Sequence, residues 1–278
     1  MSAAREQFIV EFGEKRWIAD VAYARDLSIP LHFDGAQPIF FGAPAASAAP
    51  LRSGDFVGDV NRGASCNCSH YSLTPHCNGT HTECVGHVTR DRVAIREIGI
   101  EPLSPALLVT VTPETAATTD DFSDPPPRAG DRLITRRALQ ASTGPDMAGC
   151  RALVVRTLPN APDKQHRDYD AGAMAPYFSI QAMHWLVQHD IRHLVVDLPS
   201  VDRAADDGRL TTHRIFWGLP PGSTDAAAAT RRRCTITEMA YMSDDIADGW
   251  YLLNLQVPPF MSDAAPSRPI LYPLAAQR

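Results

Sequence analysis

The sequence predicts an α/β fold in a single domain spanning 1–278, and three observations carry that prediction. Two short, nearly continuous apolar runs, Ala106-Leu107-Leu108-Val109-Thr110-Val111 and Ala152-Leu153-Val154-Val155-Arg156-Thr157, read as buried strands. Residues 178–188 instead place Ile180, Met183, His184, Leu186 and Val187 at helical spacing. No internal repeat appears, and no linker divides the chain into two cores.

Taken in order, residues 7–23 open on Phe8-Ile9-Val10-Glu11-Phe12, a strand or short helix. Arg25-Asp26-Leu27-Ser28-Ile29-Pro30-Leu31 reads as a polar turn leading to a proline-terminated edge, and 35–53, rich in Pro, Gly and Ala, as a loop. Tyr71-Ser72-Leu73-Thr74 alternates and feeds the stretch 75–87. Residues 113–130, with Pro125-Pro126-Pro127, are expected to be a mobile surface insertion, as are 158–176 and 218–230. Residues 136–141 fit a short helix with Thr135 as N-cap, and Ser179 is placed to cap the helix at 178–188. His193-Leu194-Val195-Val196-Asp197-Leu198-Pro199-Ser200-Val201-Asp202 is a strand followed by a turn. Trp250-Tyr251-Leu252-Leu253-Asn254-Leu255-Gln256-Val257 reads as a closing strand that ends at Pro258-Pro259.

Composition narrows the function classes. Hydrophobic content of 44%, charged content of 21% and a net charge of −6 suit a soluble cytoplasmic protein and argue against a nucleic-acid footprint. Arg231-Arg232-Arg233 is the one basic run and reads as a solvated face. No apolar stretch is long enough to span a membrane, and the first residues lack a signal-peptide core. The six cysteines are expected to be reduced; Cys66-x-Cys68, with no second pair, reads as small hydrophobes. No G-x-S-x-G elbow, P-loop or dinucleotide fingerprint is present.

The chemistry concentrates in Pro75-His76-Cys77-Asn78-Gly79-Thr80-His81-Thr82-Glu83-Cys84-Val85-Gly86-His87. Cys77, His81, Glu83 and His87 all occupy odd positions, which share one face of an extended segment. Thiolate, imidazole and carboxylate are good ligands for a divalent metal, and imidazole also transfers protons. A straight strand would hold Cys77 and His81 roughly 13 Å apart, so the chain is expected to turn at Asn78-Gly79, a bent strand-and-turn cradle. His76 is the competing ligand; the parity rule prefers Cys77.

The run Gly79-Thr80-His81-x-Glu83-x-Val85-x-His87 resembles the H-x-G-T-H-x-D-x-P-x-H motif of the cyclase family of metal-dependent hydrolases, which includes bacterial kynurenine formamidase and isatin hydrolase. The resemblance extends to Asp26-Leu27-Ser28-Ile29-Pro30-Leu31, to the strand ending in Arg156-Thr157, and to Asp197-Leu198-Pro199-Ser200-Val201-Asp202. It implies the swivelling β/α/β domain, with a mixed sheet or barrel-like core and flanking helices. It makes Cys77, His81 and Glu83 metal ligands, with Cys77 in the place of the family's first histidine and Glu83 in that of its aspartate. His213 and Glu238 match the downstream ligands, and His87 the catalytic acid/base. Asp197 and Asp202 could accept hydrogen bonds from ligands, as they could equally cap an ordinary turn. The implied cofactor is a divalent metal, zinc by the thiolate argument, with manganese the other choice. The implied reaction is hydrolysis of a formamide, lactam or cyclic amide by a metal-activated water. The rivals are a cyclase or lyase on the same site and a non-catalytic member of the fold. The expected partner is a small-molecule substrate, in a homodimer or homotetramer; no nucleic acid or membrane is expected. Phe40, Phe41, Trp217 and Tyr241 are candidates to line an apolar pocket, though core packing is the commoner role for such residues.

Overall fold

The two apolar runs lie side by side at the centre of one mixed sheet. The structure, a computed structural model, describes residues 7–172 and 174–277. Eleven strands make the main sheet. They are β1 (Gln7–Phe12), β2 (Lys15–Asp20), β3 (His81–Glu83), β4 (Ser104–Val111), β5 (Ala152–Thr157), β6 (His193–Val196), β7 (Thr235–Glu238), β8 (Gly249–Gln256), β9 (Ala264–Pro266), β10 (Arg268–Ala276) and the two-residue strand Arg25–Asp26. Among the described residues four α-helical segments accompany them: α1 (Pro75–Asn78), α2 (Arg136–Thr143), α3 (Ile180–Gln188) and α4 (Thr211–Phe216).

In space the order is β1-β2-β10-β8-β4-β5-β6-β7-β3-β9, with Arg25–Asp26 pairing beside β10. β4, β5, β6 and β7 run parallel, and every other described pairing in this sheet is antiparallel. Parallel neighbours need a crossover, and helices α2, α3 and α4 fall in the β4–β5, β5–β6 and β6–β7 connections. Thr135 and Ser179 cap α2 and α3, each accepting a backbone N–H at 3.1 and 3.0 Å. Among the described residues the core is a mixed sheet whose strand order ends at β9, and β9 runs into β10 through Ser267 alone, so one chain segment pairs with β3 at its start and with β8 beyond.

Strand alternation explains why the central runs are apolar throughout. Leu107, Val109, Val111, Leu153 and Val155 face one cluster with Met183, Leu186, Phe178 and Phe216 from the helical side. Ala106, Leu108, Ala152 and Val154 face a second cluster with Leu27, Met242, Tyr251, Leu253 and Leu271. With both faces covered, apolar side chains fill the middle of these strands, and the polar Thr110, Arg156 and Thr157 come near their carboxyl ends. Of the stretches expected to be insertions, 113–130 contributes Glu114–Thr115 to a separate three-stranded sheet, whose other strands, Arg132–Ile134 and Tyr177–Phe178, lie just beyond 113–130 and 158–176.

Candidate metal centre

The site is built first by register. β3 lies antiparallel to β7 with His81 opposite Glu238 and Glu83 opposite Ile236. Alternation puts His81 and Glu83 on one face, and the direct partner of His81, Glu238, joins them there. On the other face Thr82 and Thr237 hydrogen-bond through their hydroxyls at 2.7 Å. His81, Glu83 and Glu238 are all buried.

α4 adds the fourth buried group, His213. Asp202, at the end of the turn after β6, accepts from the backbone N–H of Thr212 at 2.8 Å and from that of His213 at 3.2 Å. The same carboxylate takes His213 Nδ1–H at 2.6 Å. That bond fixes the ring and turns Nε2 inward, 2.8 Å from Glu83 Oε1 and 3.5 Å from Glu238 Oε1. The Gly79 carbonyl does the same for His81, accepting from Nδ1 at 2.9 Å, so that Nε2 lies 3.5 Å from Glu238 Oε2. Glu238 is anchored in turn by the Val201 N–H at 2.8 Å.

The segment before β3 departs from the extended cradle expected of it. Pro75–Asn78 forms a helical turn, with the Cys77 and Asn78 N–H groups both donating to the Thr74 carbonyl. Gly79 itself is extended (φ 164°, ψ −168°). The odd–even rule therefore fails across this stretch, and His76 comes to the site instead. His76 Nδ1 stands 3.1 Å from Glu83 Oε2. Cys77 is buried against the same cavity but belongs to no metal-competent cluster among the described residues; the groups that form are His76/His81/Glu83, His76/His87/Asp263 and Glu83/His87/His213. Proline at the first helical position was the signal for this turn.

His87 sits on a tight turn, Val85–Val88, and stacks on His76 at 4.2 Å between ring centroids. Its Nε2 lies 3.8 Å from Glu83 Oε2. Asp263, which sequence reasoning missed, bridges the two rings: Oδ2 is 2.8 Å from His76 Nε2 and 3.3 Å from His87 Nδ1. No local spacing identifies Asp263; it stands 176 residues from His87 and arrives through the β3–β9 ladder. Asp197 is not part of the site. It pairs with buried Lys164 at 2.7 Å and accepts from the Thr157 N–H and hydroxyl.

Four buried atoms point at one another with no hydrogen-bond partner: His81 Nε2, His213 Nε2 and both oxygens of Glu83. Unpaired buried polar atoms are costly, and two imidazole lone pairs aimed at carboxylates repel them unless a positive charge sits between. The donors are those a divalent cation takes, so the residues present fit such an ion.

The carboxylates and imidazoles of the site also favour one another's charged forms. Burial disfavours charge on Glu83, yet the His87 and His213 imidazoles hold it well below the ordinary range. Burial and the Glu83 charge oppose ionisation of Glu238, but the neighbouring His213 and His81 imidazoles still keep it low. Burial likewise opposes the charge of Asp202, which the His213 bond lowers. Against burial, Glu83 and Asp202 raise His213 well above the usual imidazole value, and Asp263 and Glu83 raise His76 to about 10. Hydrogen bonds from His76 and His87 hold Asp263 far below an ordinary carboxylate. Burial pushes the Cys77 thiol up, away from thiolate.

The centre opens on a cavity of about 220 Å³, with Phe40, Phe41, Pro199 and Leu210 supplying apolar wall beside His76, His87 and His213. Phe41 is exposed and Phe40 buried, both at this cavity. Trp217 is core, its indole N–H donating to the Cys234 carbonyl at 3.0 Å. Tyr241 is half-buried against Ile29, Phe40 and Met239. His184 and His189 are exposed, away from the site.

The chain belongs to the Cyclase family: residues 25–203 match its family model, described as "Putative cyclase". Among solved structures, isatin hydrolase A from Labrenzia aggregata bound to benzyl benzoate matches at TM-score 0.60 and 15% identity, over 90% of this chain and 93% of that one. An isatin hydrolase bound to the product analogue thioisatinate matches at TM-score 0.57 and 16% identity, over 92% and 93%. A "predicted metal-dependent hydrolase from Bacillus stearothermophilus" matches at TM-score 0.55 and 16% identity, over 90% and 97%. At these identities the likeness is one of fold. No curated protein matches the sequence. Among the described residues no helix is long and apolar enough to cross a membrane.

Proposed function

We propose that this chain is a metal-dependent hydrolase that cleaves an amide-type C–N bond in a formamide, lactam or cyclic amide. The observation that carries the reading is the set of four unpartnered buried atoms on His81, His213 and Glu83. His76, His81, Glu83, His213 and Glu238 would hold the ion. With Cys77 outside this set, the thiolate argument for zinc falls away, and imidazole with carboxylate suits zinc and manganese alike. When bound, the ion supplies a Lewis acid that polarises a carbonyl oxygen and brings the pKa of a water toward about 7.

The remaining work falls to the protein. Asp202 and the Gly79 carbonyl hold the His213 and His81 rings in one tautomer, so neither must reorient during turnover. His87, a quarter exposed at the cavity, is placed to take a proton from the attacking water and deliver it to the departing nitrogen. Phe40, Phe41 and Leu210 exclude water from one side of the cavity and present apolar surface to the body of a substrate. The family description favours one second reading, a cyclase or lyase in which His87 removes a proton beside a carbonyl.

The purified protein should carry about one or two first-row divalent ions per chain, and His81→Ala should abolish that binding. A screen of formamides, isatin-like lactams and cyclic imides then separates hydrolysis from elimination by its products. Stoichiometric metal in His81→Ala would sink the reading.

A further inference from the structure

We propose that Asp263 is a positioning residue that selects the nitrogen His76 offers to the metal, making His76 an Nδ1 ligand where His81 and His213 present Nε2; this rests on the metal-dependent reading above. An ionised carboxylate only accepts hydrogen bonds. With Asp263 Oδ2 at 2.8 Å from His76 Nε2, the proton of a neutral His76 ring sits on Nε2. Its lone pair is then on Nδ1, 3.1 Å from Glu83 Oε2. The same oxygen at 3.3 Å from His87 Nδ1 leaves His87 Nε2 free toward Glu83 at 3.8 Å.

Every imidazole at the centre thus has its outer nitrogen held by an acceptor: Gly79 O for His81, Asp202 for His213, Asp263 for His76 and His87. His76 alone among the three ligand candidates is held through Nε2. Released from Asp263, its ring could turn by half a rotation about Cβ–Cγ, which would present carbon Cδ2 in place of Nδ1.

Two features separate this role from direct ligation by Asp263. Its Oδ2 is already hydrogen-bonded, whereas both oxygens of Glu83 are not. Its backbone is also pinned, with the Cys84 N–H donating to the Asp263 carbonyl at 3.0 Å and the next residue, Ala264, in register with Glu83. The carboxylate therefore stands at a fixed distance from the two rings it orients.

The test is zinc affinity, measured by competition with a chromophoric chelator, in the wild-type chain and in Asp263→Asn, Asp263→Ala and Asp263→Glu. Loss of an acceptor behind a ligating histidine costs about 10–100-fold in metal affinity. That loss is expected in Asn and Ala, with partial recovery in Glu, unchanged metal stoichiometry and an unchanged circular dichroism spectrum. Nitrogen-15 spectra of the zinc-loaded protein should show the His76 proton on Nε2 in the wild type and the loss of that signature in Asp263→Ala. His76→Ala/Asp263→Ala should bind zinc no more weakly than His76→Ala alone. Wild-type affinity in Asp263→Ala overturns the proposal and leaves the function reading intact. A fall in the number of ions bound at saturation would make Asp263 a ligand and overturn it too. A wild-type chain that takes up no divalent metal overturns both.

Discussion

His76 and His87 share one carboxylate and stack face to face, yet they differ in what they can lose. His76 is aimed at Glu83 from 3.1 Å and His87 from 3.8 Å, and His87 opens on the cavity. His87→Ala should therefore keep the metal and the fold while turnover falls by roughly 10²–10⁴, the usual contribution of general acid–base catalysis. Metal analysis beside kcat on a screened amide substrate checks this; full activity in the metal-replete variant would remove the proposed acid/base. Cys77→Ser makes the opposite case. Cobalt-substituted protein should show no sulfur-to-metal charge-transfer band, and Cys77→Ser should keep its spectrum while His76→Ala changes it. A band that vanishes in Cys77→Ser would restore the thiolate. The local spacing of Gly79, Thr80, His81 and Glu83 was enough to point to the candidate centre, because β3 is extended and its alternation puts His81 and Glu83 on one face. It was not enough to rank His76 against Cys77, because parity has no meaning in the helical turn of α1.

At the scale of elements, the turn carrying His87 depends on close backbone approach. A Cβ on Gly86 would lie 2.0 Å from the Val93 carbonyl oxygen and 3.0 Å from its carbonyl carbon. Neither atom is the end of a flexible side chain, so the turn itself must shift. Gly86→Ala should cost about 1–3 kcal/mol of stability, in the range of overpacked sites. It should lower turnover through displaced His87 while the ligands on β3, α4 and β7 keep their metal. Urea unfolding with metal analysis tests both halves; a variant of wild-type stability and turnover would show that the turn can give. The glycine was visible in the motif, but its reason was not, since Val93 meets it only in three dimensions. The apolar runs that became β4 and β5 were legible for the opposite reason: burial on both faces leaves a continuous signature in the chain. β9 left none, being three residues whose role comes from pairing with β3.

For the whole molecule, the site lies where the parallel block stops. Glu238 is the last residue of β7, and the turn after β6 supplies Asp202, so the centre occupies the carboxyl end of the parallel strands. Open α/β sheets bind ligands at that end. The α/β class was readable from the alternation of buried runs and helical spacing, whereas the order of the outer antiparallel strands is a matter of long-range pairing that no local pattern encodes. This architecture makes one global prediction. The sheet forces His81, Glu83 and Glu238 together, and α4 adds His213, so the folded chain carries unpaired donors that the unfolded chain would leave in water. A cation that binds only the folded state stabilises it by about 2.7 kcal/mol at a hundred times its Kd. For a chain of this size that corresponds to a rise of roughly 5 °C in Tm. Calorimetry of chelator-stripped protein should show the rise on adding zinc or manganese and its reversal by chelator. His81→Ala, with one of the convergent nitrogens removed, should lose most of the increment. An equal rise in wild type and His81→Ala would place the binding elsewhere on the molecule.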